Sequence, residues 1–388
     1  MYHFVGVNDS FICSLMEALV MLGYKVSASD NIENIKEKSF LIDKGIKLLN
    51  EDDVILSKDM IIVCAKKECD NKLVNQADEM NLITYSYQTL IEKLSEKFKT
   101  ITIAGSHGKT NLSWKLSQVL NNLKGCNYLI DGYVEASTKN EFLVIEAKDQ
   151  NKDFLYLTSY YSVISNIEHI NKEDYKSREE LIDAYSDYAN NATKIIIANG
   201  DNPYPRALDV NKSIFFYGTD EDNDIHARDV KYTKKGTSFD VFVEDNYYGH
   251  FDLPIFGKTM LLNTLAIIGI CYYERVDAKD LSKILKDIKA LPGYFEITKK
   301  EKTNIIYDNA SHPNELRSII KAVQQKYEDK EFEAFYIKDE CYNEETKEKY
   351  DNLVKDMNLK IVNNFKEISY TSNNVVIMSS NIKNKIEG

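Results

Sequence analysis

The sequence has no surplus of positive charge: 49 lysines and arginines stand against 61 aspartates and glutamates, for a net charge of -12. A broad nucleic-acid surface needs clustered basic side chains to replace the counterions around phosphates, so no nucleic-acid partner is expected. Cysteine is equally sparse. The six residues Cys13, Cys64, Cys69, Cys126, Cys271 and Cys341 are scattered, and the nearest pair has four intervening residues and no histidine partner. That pattern argues against a zinc site and for free thiols in a reducing compartment. No apolar run approaches the roughly 18 residues of a membrane span, since even 260–273 is too short. The opening Tyr2-His3-Phe4-Val5-Gly6 lacks the basic, apolar and small-residue regions of a signal peptide. A cytoplasmic protein with no membrane span is expected. Proline is rare, which makes Leu291-Pro292-Gly293 the clearest linker signal.

What is present is ordinary globular material, with 43% hydrophobic and 28% charged residues in 388 positions. That length exceeds one ordinary core and implies two or three domains. Short apolar runs alternate with amphipathic segments from the start: strand-like 2–7, helical 11–22, strand-like 25–27 ending at Asp30. Runs at 53–64 and 82–85 and a helical 89–98 continue this first α/β unit. A second unit opens with a buried strand at 100–104, a glycine loop and a helix at 112–123, then further strands at 142–145, 162–164, 194–198 and 213–217. Residues 238–243 and 249–253 read as a peripheral antiparallel hairpin. Helical patterns at 261–273 and 278–288 lead to the linker. The last unit repeats the theme with strands at 304–307, 332–337, 359–362 and 374–378 and helices at 314–327 and 344–357. The expected fold is therefore α/β in three consecutive domains: 1–98, Rossmann-like; 99–296, a phosphate-loop domain with the hairpin; and 297–388, small and Rossmann-like.

The loop Gly105-Ser106-His107-Gly108-Lys109-Thr110 carries the strongest chemical signal. It stands between a strand and a helix, where glycines admit phosphate oxygens to backbone N–H groups and the helix N-terminus favours anionic charge. Lys109 would grip the outer phosphates of ATP, and the Thr110 hydroxyl would meet Mg²⁺. Glu146 ends the apolar run 142–145, so it falls at the carboxyl end of a strand, where ligand crevices of α/β sheets lie. A carboxylate there can share the cation with Thr110.

Taken in order, Ala104-Gly105-Ser106-His107-Gly108-Lys109-Thr110, Val144-Ile145-Glu146-Ala147, Ser165-Asn166-Ile167-Glu168 and Asn199-Gly200-Asp201-Asn202-Pro203 resemble the central domain of the Mur ligase family, and its alanine-adding branch above all. The likeness continues through Tyr217-Gly218, residues 257–263, Phe295-Glu296 and Asp308-Asn309-Ala310-Ser311-His312-Pro313-Asn314-Glu315. It implies a UDP-sugar site in the first domain, an ATP site in the second and an amino-acid site in the third. The activity it implies forms an amide through an acyl phosphate in peptidoglycan precursor synthesis. On this resemblance Lys109, Glu146 and His312 are catalytic. Residues 105–110 with Asn263 and Asp308 bind ATP, and Thr110, Glu146 and Asn171 hold metal. Gly6, Asp30 and Asn166 serve the sugar substrate.

Several positions depart from the family pattern. The first glycine-rich turn is reduced to Gly6-Val7-Asn8-Asp9-Ser10-Phe11-Ile12, where Asp9 adds negative charge and Phe11 bulk beside an expected diphosphate. Ile170 and Asn171 replace an Asp-His pair, with His169 two places out of register. Thr259-Met260, Gly293-Tyr294 and Ser311 replace a His-Asn pair, an Arg pair and a histidine, and the third domain of about ninety residues is short for a domain of its kind. The sequence therefore supports an ATP- and Mg²⁺-dependent ligase joining an amino acid to UDP-N-acetylmuramate or a related carboxylate. The alternative is a catalytically weak paralogue that binds nucleotide and acts through contacts with other cell-wall enzymes. A plain nucleotide hydrolase ranks third.

Overall fold

In a computed structural model, residues 1–7, 10–31, 35, 37–65, 71–170, 172–328, 330–344 and 346–379 are described. Of the positions named from the sequence, Asn8, Asp9, Cys69 and Asn171 lie outside them. The chain divides into two compact units, residues 1–198 with 202–215, and residues 199–201 with 216–388.

The first unit begins with β1 (Tyr2–Val5), α1 (Ser10–Met21), β2 (Val26–Ser29), α2 (Lys38–Asp43), β3 (Lys47–Leu49), β4 (Ile61–Cys64), α3 (Lys72–Glu79), β5 (Ile83–Ser86) and α4 (Tyr87–Ser95). Its strands form a sheet in the order β3-β2-β1-β4-β5, with every pairing parallel. Side-chain caps fix two of the helix starts: Asn71 accepts from Leu73 N and Ser86 from Thr89 N. The long strand expected at 53–64 is real only in its last four residues. Residues Glu51–Asp53 instead turn as a 3-10 helix, and Ile55 is 86% exposed; hydrophobicity without cross-strand partners does not extend a strand. Cys13, Cys126, Cys271 and Cys341 are free thiols. Cys64 is disulfide-bonded, which corrects the expectation there, because bridging depends on how close the fold brings two Cβ atoms rather than on spacing along the chain.

The unit continues with β6 (Lys99–Ala104), α5 (Lys109–Lys124), β7 (Cys126–Ile130), β8 (Tyr133–Glu135), β9 (Phe142–Glu146), β10 (Ser159–Ile164), α6 (Arg178–Asn190) and β11 (Ala192–Asn199). These strands run β11-β10-β6-β9-β7-β8, parallel except where β8 turns back on β7. A parallel sheet covered on both faces calls for continuous apolar strands. Ile101, Ile103, Val144 and Ile145 are fully buried, each worth about 1.5–3 kcal/mol of transfer free energy. Helix α5 packs on the sheet through Leu112, Leu116, Val119 and Leu120, a stripe with helical period.

The second unit takes in the end of β12 (Ile214–Gly218) and then β13 (Ile225–Thr233), β14 (Gly236–Val243) and β15 (Asn246–Leu253), a three-stranded antiparallel meander rather than a two-stranded hairpin. Strand β13 carries little signal in the sequence because its register shifts between Arg228 and Lys231, where Asp229 takes φ +51°, and its apolar alternation changes phase there. Helices α7 (Lys258–Tyr273) and α8 (Ala278–Asp287) follow. Then come β16 (Glu296–Lys300), β17 (Thr303–Asp308), α9 (Pro313–Tyr327), β18 (Glu333–Ile337), α10 (Lys347–Met357), β19 (Leu359–Val362) and β20 (Asn374–Met378). Their sheet order is β16-β17-β20-β18-β19, parallel apart from the antiparallel edge strand β16. No helix among the described residues is long and apolar enough to cross a membrane.

Candidate functional site

Strands β6, β9 and β10 lie side by side, with Ile103 paired to Glu146 and Ala104 to Ile164. Their carboxyl ends therefore open on one edge of the sheet, and the loops leaving them meet there. The first is the glycine loop. Gly105 takes φ +154° and Gly108 φ +71°, and a methyl group on Gly105 would stand 2.1 Å from Ser165 Oγ. Glycine is thus required at residue 105 by contact as well as by backbone angle. Gly108, which has no side chain to offer the first turn, stands at the N-terminus, the positive end, of the sixteen-residue helix α5.

The loop after β10 holds this one in shape. Ser106 N donates to Asn166 O at 3.1 Å, and His107 N donates to Asn166 Oδ1 at 2.9 Å. Asn166 Nδ2 returns a bond to His107 O at 2.9 Å. Ser106 Oγ accepts from Glu168 N at 2.7 Å, and the His107 ring lies 3.3 Å from Glu168 Oε2. Asn166, expected on the sugar side, is thus occupied as a clamp on the phosphate loop. Ser165 and Glu168 join this clamp without having been expected in the site, and their only signal in the sequence is the four-residue motif they share with Asn166.

Lys109 Nζ donates to Gly105 O at 2.6 Å. Thr110 Oγ1 donates to Glu146 Oε1 at 3.1 Å. The Glu146 carboxyl is 7% exposed, and its second oxygen has no hydrogen-bond partner among the described residues. Burial raises its pKa above the ordinary glutamate value, opposed by the Lys109 charge and the Thr110 bond. A buried, unsatisfied carboxylate oxygen beside a hydroxyl is a hard-oxygen donor set that suits Mg²⁺. Beyond them, Glu146 and Lys148 line a cleft together with Phe11, Tyr87, Ile91 and Tyr156.

At the first sheet, Gly6 has φ +88°. Asp30 faces inward to the turn that follows it: Val7 N donates to its Oδ2 and Asn31 N to its Oδ1, both at 2.7 Å. A carboxylate thus occupies a backbone donor of the turn expected to meet a diphosphate.

In the second unit, Asn263 is buried on α7. Asp308 ends β17 with both oxygens accepting backbone N–H groups, from Phe295 and Ala310 at 2.8 Å; burial pushes its pKa up to about 7. His312 is the N-cap of α9, where its ring accepts from Asn314 N and Glu315 completes a capping box. His169, in the first unit, is held by Tyr175 O at 2.8 Å.

Residues 1–99 match the Mur ligase family catalytic domain, and residues 83–271 match the Mur ligase middle domain. The UDP-N-acetylmuramate--L-alanine ligase of Ligilactobacillus salivarius (strain UCC118) is 32% identical over 337 residues, 86% of this chain and 76% of that protein. The crystal structure of UDP-N-acetylmuramate-alanine ligase MurC from Thermotoga maritima superposes with TM-score 0.75 at 17% identity, over 98% of this chain and 95% of the other. The MurF ligase of Thermotoga maritima in complex with ADP gives TM-score 0.63 at 15% identity, over 93% and 92%.

Proposed function

The chain belongs to the Mur ligase family, and we propose that it is an ATP-dependent ligase joining an amine to a carboxylate in peptidoglycan precursor synthesis. Relatives named as ligases for UDP-N-acetylmuramate and alanine support that reading. The observation that carries it is the convergence, at one sheet edge, of the clamped loop 105–110, the Lys109 ammonium and the Thr110–Glu146 pair.

The backbone N–H groups of the loop and the start of α5 receive the phosphates of ATP, and Lys109 neutralises charge on the group being transferred. Thr110 and Glu146 would hold Mg²⁺, which would supply charge neutralisation for the phosphate oxygens. The acceptor carboxylate oxygen attacks the terminal phosphorus and ADP leaves. The amine then attacks the acyl carbon, the C–O bond breaks, and phosphate departs with the acceptor's oxygen. We assign residues 1–98 to the acceptor, 99–296 to ATP and 297–388 to the amino acid, and place the enzyme in the cytoplasm. In that assignment Asn263 and Asp308 serve ATP, while His312 serves the third-domain substrate.

One observation favours the second reading, a nucleotide-binding paralogue of weak activity acting on cell-wall enzymes. Asp30 already takes the Val7 N–H that a UDP-sugar diphosphate would use. Purified protein with ATP, Mg²⁺, UDP-N-acetylmuramate and a panel of amino acids separates the two, with Lys109→Ala as control. Phosphate release that depends on both acceptor and amine supports the ligase. ATP binding without turnover under every combination sinks it and leaves the paralogue.

A further inference from the structure

A second carboxylate stands behind the phosphate loop, apart from Thr110 and Glu146. Asp149 Oδ1 lies 3.9 Å from Lys109 Nζ, and each side chain is 14% exposed. The same ammonium donates to Gly105 O, so the lysine is folded back across its own loop. Asp149 is fixed from α6 and from the loop after β10. Tyr185 OH donates to its Oδ2 at 3.2 Å, and Tyr175 OH donates to its backbone carbonyl at 2.6 Å. Tyr185 is fully buried and packs edge-on against Phe154, which leaves its hydroxyl little freedom to turn away.

We infer that Asp149, steadied by Tyr185, is a positioning residue for Lys109, holding the ammonium in one orientation at the phosphate loop. The inference rests on the nucleotide-binding reading above. Lysine is a point charge on a long flexible stem, so ordering it costs conformational entropy each time it is used. A carboxylate that keeps it ordered at the loop lowers the entropy that phosphoryl transfer would otherwise spend in placing that charge. The same negative charge opposes phosphate binding by partly neutralising the lysine. Asp149 therefore trades some nucleotide affinity for orientation.

Asp149→Asn keeps an oxygen for the Tyr185 hydroxyl and removes the charge; Tyr185→Phe removes the hydroxyl and keeps both charge and ring. The expected result for Asp149→Asn is a kcat about tenfold lower with ADP bound about threefold more tightly by calorimetry. Tyr185→Phe moves both in the same direction by less. In a Lys109→Ala background neither replacement changes ADP affinity further. An equal change in both backgrounds, weaker ADP binding, or unchanged kcat and affinity overturns the inference. If Asp149→Asn fails to fold by circular dichroism, the Tyr185→Phe comparison decides alone. A wild-type protein that binds no ADP refutes the nucleotide reading itself, whereas one that binds ADP while the two replacements act independently of Lys109 refutes only the positioning.

Discussion

Replacing Gly105 with alanine should damage the phosphate loop and the fold of the first unit together. The added methyl group would stand 2.1 Å from Ser165 Oγ and 3.2 Å from both the backbone N and O of Asn166. The serine hydroxyl can rotate away only by giving up its 3.2 Å bond to Ala104 O, a loss of about 0.5–1.5 kcal/mol. The backbone at φ +154° adds strain of order 1–3 kcal/mol for a residue with a side chain. Together these give about 1.5–4.5 kcal/mol, or roughly 3–18 °C in the melting temperature of a unit of this size. Because the displaced partners are the clamp itself, ADP affinity should fall in step. Thermal denaturation followed by circular dichroism and calorimetric ADP titration measure the two effects. Ser165→Ala in the same chain should recover part of the lost stability, since it removes the atom in closest conflict. A Gly105→Ala protein that melts within a degree of wild type and binds ADP equally well would refute the reasoning.

Glu146→Gln should abolish turnover while leaving stability in Mg²⁺-free buffer at pH 7 unchanged or higher by about 1 kcal/mol, because burial disfavours the charge that the cation needs; activity assays and denaturant melts read the two separately. Asn166→Ala should cost about 1–3 kcal/mol by freeing the bonds it makes with His107, measured by urea denaturation, with weaker ADP binding. His3 is buried between Ser27 and Ser29, and desolvation lowers its pKa to about 4 from 6.5. The unfolded chain takes up that proton first, so stability is full above about pH 6.5 and falls by about 3 kcal/mol as pH drops toward 4; His3→Gln should flatten this slope in a pH series of melts. Asp308 works in the opposite sense. Its carboxyl, raised by burial to about 7, keeps a proton the unfolded chain releases, so stability is full below about pH 4 and is lost as pH rises through 7, by up to about 1.4 kcal/mol per pH unit. Asp308→Asn should remove that dependence in the melting of the second unit.

Local chemistry makes the phosphate loop legible in the sequence itself: a buried strand, two glycines and a helix start must stand in that order, and they do between β6 and α5. Glu146 is legible for a related reason, since an apolar run that ends in a carboxylate reports its own position at a strand end. Asp149 and Tyr185 are not legible, because their relation to Lys109 is set by tertiary packing of residues 40 and 76 positions downstream. Asn166 stands in a legible motif, yet its bonds to the phosphate loop are not legible, since a sequence cannot say which polar groups a neighbouring loop will claim. The same limit hides the local bonds of Asp308 and His312: one gives both carboxylate oxygens to backbone donors, and the other caps a helix. Strand β13 is hidden because its register shifts between Arg228 and Lys231, so the alternation of its first half does not run on in phase through its second.

The central claim is that an acceptor carboxylate, rather than water, takes the terminal phosphate of ATP at the site built from Lys109, Thr110 and Glu146. Turnover of UDP-N-acetylmuramate labelled with ¹⁸O in its carboxylate, with ATP, Mg²⁺ and alanine, tests it directly by mass spectrometry of the phosphate released. The account predicts one ¹⁸O in each phosphate, matched by amide product and absent in Lys109→Ala. Phosphate whose new oxygen comes only from solvent would contradict it.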